Sequence, residues 1–311
     1  MHVLFGDLAV RPACSSARAM KHATASSRAE VLLDALPFIQ RFRGQTFVIK
    51  YGGSAMEDEY LVERTLRDVV FLEAVGIRPV IVHGGGKAIT DRMREAGIKA
   101  RFVNGLRVTD AASMAIVEQT LENVINPMIV AKLNEFGGKA VSASGRQVIR
   151  ARKAPPQPGK KGQVADLGFV GEVDTVALDS VHAALGQGTV PVISPVGVDD
   201  VGTALNINAD IAAGAIAAGL GAAKLIYISD VRGIMRDPTQ ADSLIPSVNR
   251  DLIGKLIKDG IIEGGMIPKV ESAAEALGKG VGKVHLIDGR LAHALLLEIF
   301  TDSGVGTEIV P

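Results

Sequence analysis

The chain reads as an α/β protein, an open and mainly parallel sheet with helices on both faces (an αβα sandwich) behind an N-terminal helical arm. Three observations predict this. Two glycine-rich turns each follow a short apolar run of strand character: Lys50-Tyr51-Gly52-Gly53-Ser54 after Thr46-Phe47-Val48-Ile49, and His83-Gly84-Gly85-Gly86-Lys87 after Val80-Ile81-Val82. Between them Leu61, Leu66, Val69, Val70 and Leu72 recur at helical spacing, so strand, crossover helix and strand follow in the order of a parallel unit. A third apolar run, Lys224-Leu225-Ile226-Tyr227-Ile228, ends in the turn Ser229-Asp230-Val231-Arg232-Gly233.

In chain order, Val31, Leu32, Ala35, Leu36, Phe38, Ile39 and Phe42 predict an amphipathic helix over 28–43, bent or restarted at Pro37. Such a helix either packs on its own core or grips another subunit. Strand 46–50, a helix from about Asp58 to Val75, strand 78–82 and a helix to Ala96 follow. The right-handed crossover rule puts both glycine turns at the same edge of the sheet, at the carboxyl ends of the strands. Residues 150–168, with Pro155-Pro156, Pro158 and Gly159-Lys160-Lys161-Gly162, read as a surface hairpin or loop. Strand 189–193, an alanine-rich helix from Asn206 to Gly219, strand 224–228 and a helix from Val270 to Leu277 complete the pattern. The expected division is a leader over 1–27, the arm over 28–44, an N-terminal lobe over 45–221 and a C-terminal lobe over 222–311.

Length supports two lobes, because 311 residues exceed the usual single core of roughly 150. Lys plus Arg equals Asp plus Glu at 34 each, so no global field draws the chain to nucleic acid or an anionic membrane. The single cysteine, Cys14, offers neither a disulfide framework nor a cysteine metal site. No apolar run reaches the ~18 residues of a membrane span. Residues 1–28 hold several Arg and Lys, one acid and many Ser and Ala, the composition of a transit peptide or of a leader ahead of a start at Met20. A cytoplasmic location is expected, with a plastid or mitochondrion as the alternative if that leader is a transit signal.

Neither glycine turn completes GxGxxG or GxxxxGK[ST], which counts against nicotinamide enzymes and ordinary phosphate-loop proteins. Strands ending at Gly-Gly and turning into helices nonetheless expose N–H groups to an anion, and two such turns side by side suit one phosphoryl group. A loop glycine can also serve only a tight turn. Lys50 ends an apolar strand, where an ammonium must meet an anion or snorkel to the rim. Lys269, behind Gly264-Gly265-Met266-Ile267-Pro268, opposes a helix dipole and so calls for a nearby negative group. Asp210 in Asn206-Ile207-Asn208-Ala209-Asp210 can supply it or can simply cap a helix.

Taken together, KYGGSAM, VHGGGKAI, RFVNGLRVTD, LNINAD, ISDVRGI, GGMIPKV and LLLEIFTDSGVGTEI occur in an order that strongly resembles the N-acetylglutamate kinases of the amino acid kinase family, over about Ala29 to Val310. That resemblance implies transfer of the γ-phosphate of MgATP to the γ-carboxylate of N-acetyl-L-glutamate, on the route to arginine. It implies that Lys50 and Lys269 contact the transferring phosphoryl and that Asp210 organises both. Gly53, Gly85 and Gly86 would offer N–H groups to the same oxygens. Arg107, Asn206 and Asn208 would hold the acceptor, with its α-carboxylate side on Arg107 and Asn206. Ser229, Asp230, Val231, Gly233, Ile234 and Met235, with Gly264, Gly265 and Met266, would line the ATP pocket, and Mg²⁺ would arrive with the nucleotide rather than on a protein metal site. Both chain ends resemble the arginine-inhibited, hexameric members, trimers of dimers linked by the arm. Carried over, this makes Glu298, Gly304 and His293 the candidates for an L-arginine effector. The resemblance also admits a PII signalling protein as a partner, although no residue code for that contact is readable.

The chain departs from the group at Ile125-Asn126-Pro127, where Val-Asn-Lys is common, in a shortened segment after Ser144-Gly145, and at Phe38, where tyrosine is frequent. The rivals are relatives acting on carbamate, aspartate, glutamate or a nucleotide, and a non-catalytic arginine or nitrogen sensor on the same fold. The NGLRVTD context of Arg107 favours acetylglutamate. The lack of an added regulatory domain after Pro311 is an expectation against aspartate kinases.

Overall fold

The computed structural model describes residues 29–158 and 164–311, so the leader and the Lys160-Lys161 pair lie outside the described residues. The arm helix α1 is helical over 29–42 and continues through Pro37 rather than restarting there. Strand β1 (Thr46–Tyr51), helix α2 (Glu59–Ala74), strand β2 (Arg78–His83) and helix α3 (Gly86–Glu95) then form the expected parallel unit. Asp58 caps α2 by accepting from Leu61 N at 3.1 Å. The hairpin β3 (Arg101–Val103) and β4 (Leu106–Val108) turns at Asn104-Gly105, with φ 49° and 80°, a two-residue turn whose twist matches the strands.

Helix α4 (Ala111–Thr120) passes through a π-turn at Leu121–Ile125 into α5 (Asn126–Glu135), followed by β5 (Ala140–Ala143) and the short α6 (Gly145–Val148). Then come β6 (Ile149–Lys153), the pair β7 (Gln157–Pro158) and β8 (Val164–Ala165), and β9 (Val170–Val176). Residues 150–168 are therefore part strand and part hairpin, as β6 pairs with β9 and β7 with β8. Next are α7 (Asp179–Gly186), β10 (Val190–Ile193), β11 (Val196–Val198), β12 (Ala204–Ile207) and α8 (Ala209–Gly219). Asn206 is thus a strand residue, and the helix expected from it starts only at Ala209, because Asn208 is extended and caps it. The remainder is β13 (Lys224–Ser229), β14 (Ser247–Asn249), α9 (Arg250–Lys258), α10 (Met266–Gly278), β15 (Lys283–Asp288), α11 (Ala294–Ile299) and β16 (Thr307–Val310). Helix α10 begins earlier than expected, which places Lys269 inside its first turn.

The described residues form an eight-stranded sheet in the order β14-β16-β15-β13-β1-β2-β10-β5. Strands from β15 to β5 are parallel, and β16 runs antiparallel to β15. Strands β11, β12, β9 and β6 close into a small second sheet. Strand alternation divides the core. Val48, Leu225 and Tyr227 point to the face covered by α8 and α10, while Phe47, Ile49 and Ile226 point to the face covered by α2, α4 and α5. The expected lobes share one sheet, since β13 pairs directly with β1.

From β1 the chain builds outward to β2 on one side and later to β13 on the other, so the strand order reverses beside β1, where open α/β sheets bind ligands at the strands' carboxyl ends. Tight backbone packing holds the neighbouring corner. A Cβ on Gly145 would stand 2.0 Å from Ser194 O and 2.5 Å from Val196 O. Gly145→Ala is expected to cost roughly 1–3 kcal/mol, because backbone cannot yield as a side chain does. Urea unfolding that gives wild-type stability would contradict this packing.

Candidate active site

Lys50 and Tyr227 are register partners on adjacent parallel strands, so both side chains project onto the α8 face near the carboxyl end of the sheet. Helix α8 begins above them. Asn208 Oδ1 caps it, accepting from Asp210 N at 2.8 Å and from Ile211 N at 3.3 Å, which frees the Asp210 carboxylate from capping. That carboxylate lies between two amines. Lys50 Nζ is 3.1 Å from Oδ1, and Lys269 Nζ donates to Oδ2 at 2.6 Å. The Lys50 contact lacks hydrogen-bond alignment, leaving Oδ1 with an ionic neighbour but no donor aimed at it. Burial opposes charge on Asp210, but the two lysines outweigh it and hold the carboxyl below its usual range. Burial lowers the Lys269 amine against the pull of Asp210, and the Lys50 charge adds to the lowering.

The glycine turns leave room for this cluster. A Cβ on Gly52 would lie 2.7 Å from Lys50 Nζ, so any side chain there displaces the amine. Gly53 has φ 74°, and its Cβ would meet Asp230 Oδ1 at 2.4 Å. Asp230, from the turn after β13, accepts from Ser54 N at 2.6 Å and from Ser54 Oγ at 2.8 Å and so ties the first turn to the third. Gly85 caps α3 from outside, with Leu121 and Ile125 where a Cβ would stand, and the Gly86 position is open. The free N–H groups at the start of α3 are a ready anion site.

His83 fixes the second turn. Its Nδ1 lies 2.9 Å from Gly84 O and its Nε2 lies 3.3 Å from Asn126 Nδ2, so the neutral ring donates to the carbonyl and accepts from the amide. Complete burial pushes its pKa down to about 4.

Arg107 on β4 is buried, yet its partners are all neutral: Gly86 O at 2.7 Å and Thr90 Oγ1 at 2.8 Å from Nη2, Met93 Sδ at 3.3 Å from Nη1, and the Phe102 ring 4.7 Å from its guanidinium carbon. Among the described residues no carboxylate pairs with it. Asn206 reaches Thr109 Oγ1 at 3.2 Å.

Two cavities meet here. One, of about 680 Å³, is lined by Lys50, Gly53, Gly85, Gly86, Arg107, Asn206, Asn208 and Asp210. The other, of about 450 Å³, is lined by Ser229, Asp230, Val231, Gly265, Met266 and Lys269, and it shares Lys50, Gly53 and Asp230 with the first. Gly233, Ile234, Met235 and Gly264 do not line this second cavity. Ile234 is core, with its N–H on Thr307 Oγ1 at 2.8 Å. Sequence reasoning missed the Lys87 Nζ to Glu57 Oε2 ion pair of 2.8 Å at the mouth of the larger cavity, although Lys87 stands in the quoted VHGGGKAI run. It also missed the roles of His83 and Ser54, whose only signal was adjacency to the glycines.

Of the effector candidates, Glu298 is buried with Oε1 on His285 Nδ1 at 2.6 Å and Oε2 on the N–H groups of Val305 and Gly306 at 2.7 and 2.9 Å. Gly304 packs against the same carboxylate. His293, with φ 61°, turns instead to Asp68 Oδ1 on α2 at 2.6 Å.

Known proteins share much of this sequence and fold. The profile of the amino acid kinase family matches residues 45–288. An acetylglutamate kinase from Akkermansia muciniphila is 50% identical over 285 residues, covering 91% of this chain and 95% of that protein. One from Nostoc sp. is 49% identical over 287 residues, covering 92% of this chain and 94% of that protein. Among solved structures, the Neisseria gonorrhoeae N-acetylglutamate synthase complexed with coenzyme A and N-acetyl-glutamate aligns with a TM-score of 0.79 at 26% identity, over 91% of this chain and 63% of the synthase. The chain thus spans under two thirds of that protein's length. Giardia lamblia carbamate kinase bound to AMP-PNP aligns with a TM-score of 0.62 at 19% identity, over 86% of this chain and 98% of its own, a likeness of fold.

Because folded His83 stays neutral down to about pH 4 while an unfolded histidine binds its proton near 6.5, the unfolded state gains on the native one as pH falls through that window. Stability should fall by up to about 1.4 kcal/mol per pH unit from this group, and His83→Gln should flatten that part of the curve. Chemical unfolding from pH 7 to 4 checks it; parallel curves for both proteins would refute the assignment.

Proposed function

Since the chain belongs to the amino acid kinase family, we propose that it transfers the γ-phosphoryl group of ATP to the γ-carboxylate of N-acetyl-L-glutamate, giving an acyl phosphate. The kinase reaction and the acceptor follow from identity of about one half to acetylglutamate kinases along most of the chain. The observation that carries the residue assignment is the convergence of Lys50 and Lys269 on Asp210 where the two cavities join.

In this reading the larger cavity takes the acceptor and the smaller one ATP, so the phosphoryl group passes at their junction. A carboxylate is already a nucleophile at neutral pH and needs no general base. The barrier is repulsion between two anions, and alignment with fixed positive groups lowers it. The two amines, with N–H groups of the glycine turns at Gly53, Gly85 and Gly86, face the oxygens on which charge spreads. Mg²⁺ bound with the nucleotide would supply further charge neutralisation at this junction; among the described residues no group of three or more His, Cys, Asp or Glu side chains is placed to hold a metal ion. Arg107, buried without a counter-ion, suits the α-carboxylate of the acceptor, and Asn206 beside it suits the same end.

Arginine inhibition, hexamer formation and a cytoplasmic location are further parts of the proposal. No described helix is long and apolar enough to cross a membrane. A relay supports the regulatory part. Phe42 of α1 stacks under Lys224 Nζ at 5.2 Å, Lys224 Nζ lies 2.7 Å from His285 Nε2, and His285 holds Glu298. The exposed Val31, Leu32, Leu33 and Leu36 of α1 suit a contact with a second copy.

Lys50→Ala and Lys269→Ala are each expected to lower kcat roughly 10²–10³-fold, as loss of one oxyanion donor does. Full turnover by either purified variant would remove that lysine from the mechanism. Arg107→Lys should raise KM for acetylglutamate more than it lowers kcat, and the opposite split would move Arg107 out of acceptor binding. A coupled ATPase assay with acetylglutamate, glutamate, aspartate and carbamate, with and without arginine, tests the substrate and the inhibition together. Turnover of carbamate in preference to acetylglutamate would overturn the reading.

A further inference from the structure

Behind the reacting groups, three elements meet at one main-chain carbonyl. Tyr227 on β13 is fully buried, and its hydroxyl lies 3.3 Å from Asp210 O and 3.0 Å from Ser272 Oγ. Ser272 Oγ lies 3.2 Å from the same carbonyl. Both hydroxyls stand within donating distance of Asp210 O and of each other, so their two protons make two of the three contacts at a time and the three oxygens form a small ring on the first turn of α8. Helix α8 sits tight on this ring. A Cβ on Gly214 would come within 3.1 Å of Ser272 Oγ and 3.5 Å of the Tyr227 hydroxyl. Ser272 follows Lys269 by three residues on α10 and so shares its face, and Lys269 Nζ stands 5.4 Å from the Tyr227 ring centroid.

We propose that Tyr227 and Ser272 are positioning residues for phosphoryl transfer: their hydroxyl pair pins the Asp210 peptide to β13 and α10, so that the carboxylate stays between Lys50 and Lys269. A bare capped turn fixes a helix end but leaves freedom to slide along its axis. The ring removes that freedom where it matters, because both contacts of Asp210 are to flexible lysine chains that would follow a displaced carboxylate rather than hold it. Burial adds weight. A phenol in a dry core keeps its proton and therefore remains a donor throughout the working pH range.

The inference rests on the phosphoryl-transfer reading of this site, and its test separates the two. Tyr227→Phe, Ser272→Ala and the double variant are compared with wild type for kcat, both KM values, thermal midpoint and the pH dependence of kcat. The groups facing Lys269 are Asp210 from α8, Lys50 from β1 and Asp230 from the turn after β13, with Glu263 lining the same cavity. If Asp210 drifts, Lys269 loses its nearest stabilising charge and sheds its proton earlier. Each single variant should lose about fivefold to tenfold in kcat with both KM values little changed, and the double should lose less than the product. The alkaline limb of kcat should move down by about one pH unit.

An unmoved limb, whether or not kcat falls, overturns the proposal, because a merely structural role lowers activity without changing the proton affinity of Lys269. If Tyr227→Phe does not fold, Ser272→Ala alone carries the same decision. A wild-type chain unable to phosphorylate acetylglutamate would bring down the reading of the site, and with it this inference; a normal wild type with unshifted variants strikes the inference alone.

Discussion

One carboxylate between two largely buried ammonium groups is the constraint from which the rest of the site follows. Two lysines at 12% and 13% exposure repel each other and lose hydration, and without Asp210 neither charge would be tolerated so close to the other. With Asp210 the cluster carries one net positive charge, 2 − 1 = +1, fixed before any ligand arrives. Preorganisation of this kind is what phosphoryl transfer needs, since the charge need not be assembled at the moment of reaction. The arrangement leaves Asp210 only partly satisfied, with Lys50 ionically close but not aligned on Oδ1, so the Lys50 amine keeps hydrogen-bonding directions for another anion.

The fold meets this constraint by placing its parts on separate, rigid elements. Strand alternation sends Lys50 to the α8 face, and the reversal of strand order beside β1 opens the sheet edge above it. Helix α8 brings Asp210 down from one side, and the first turn of α10 brings Lys269 from the other. The positive dipole end of α10 disfavours Lys269, and the Asp210 carboxylate answers that field as well as the lysine charge. Gly52 leaves space for an amine folding back over it, while Gly53 makes a left-handed turn against Asp230. The two glycines therefore do different work, one steric and one conformational.

Much of this was legible in the sequence. The apolar runs marked β1, β2, β10 and β13 to within a residue or so, because strands buried on both faces leave continuous signals. Lys50 and Lys269 stood out because each was a cation in a segment that disfavours it, and Asp210 because it could supply the negative group they called for. Pro37 did not make the helix restart: it is carried within α1, whose Phe38, Ile39 and Phe42 pack on the core. Asn206 misled: NINAD is polar enough to look like a helix start, but the true cap is Asn208, and only the strand pairing of Asn206 with Val170 separates the two. The hydroxyl ring under Asp210 and the His83–Asn126 contact join residues dozens of positions apart, and no local pattern encodes such meetings.

The contrast between Asp210 and Arg107 bears on what the acceptor must look like. The lysines come with their counter-charge built in, whereas the Arg107 guanidinium is packed among a carbonyl, a hydroxyl, a thioether and an aromatic ring, none of which carries a formal charge. Burial lowers its proton affinity without any acid nearby to raise it, so the cost of holding this cation is borne by the fold until an anion arrives. An acceptor with a single anionic group, such as carbamate, would present that group to the lysines and leave Arg107 unpaired. A dicarboxylate offers one carboxylate at the junction of the cavities and a second at the arginine. In the proposed reading the acceptor must therefore be charged at both ends, and selectivity among carboxylate substrates would rest on a charge left uncompensated rather than on an added contact.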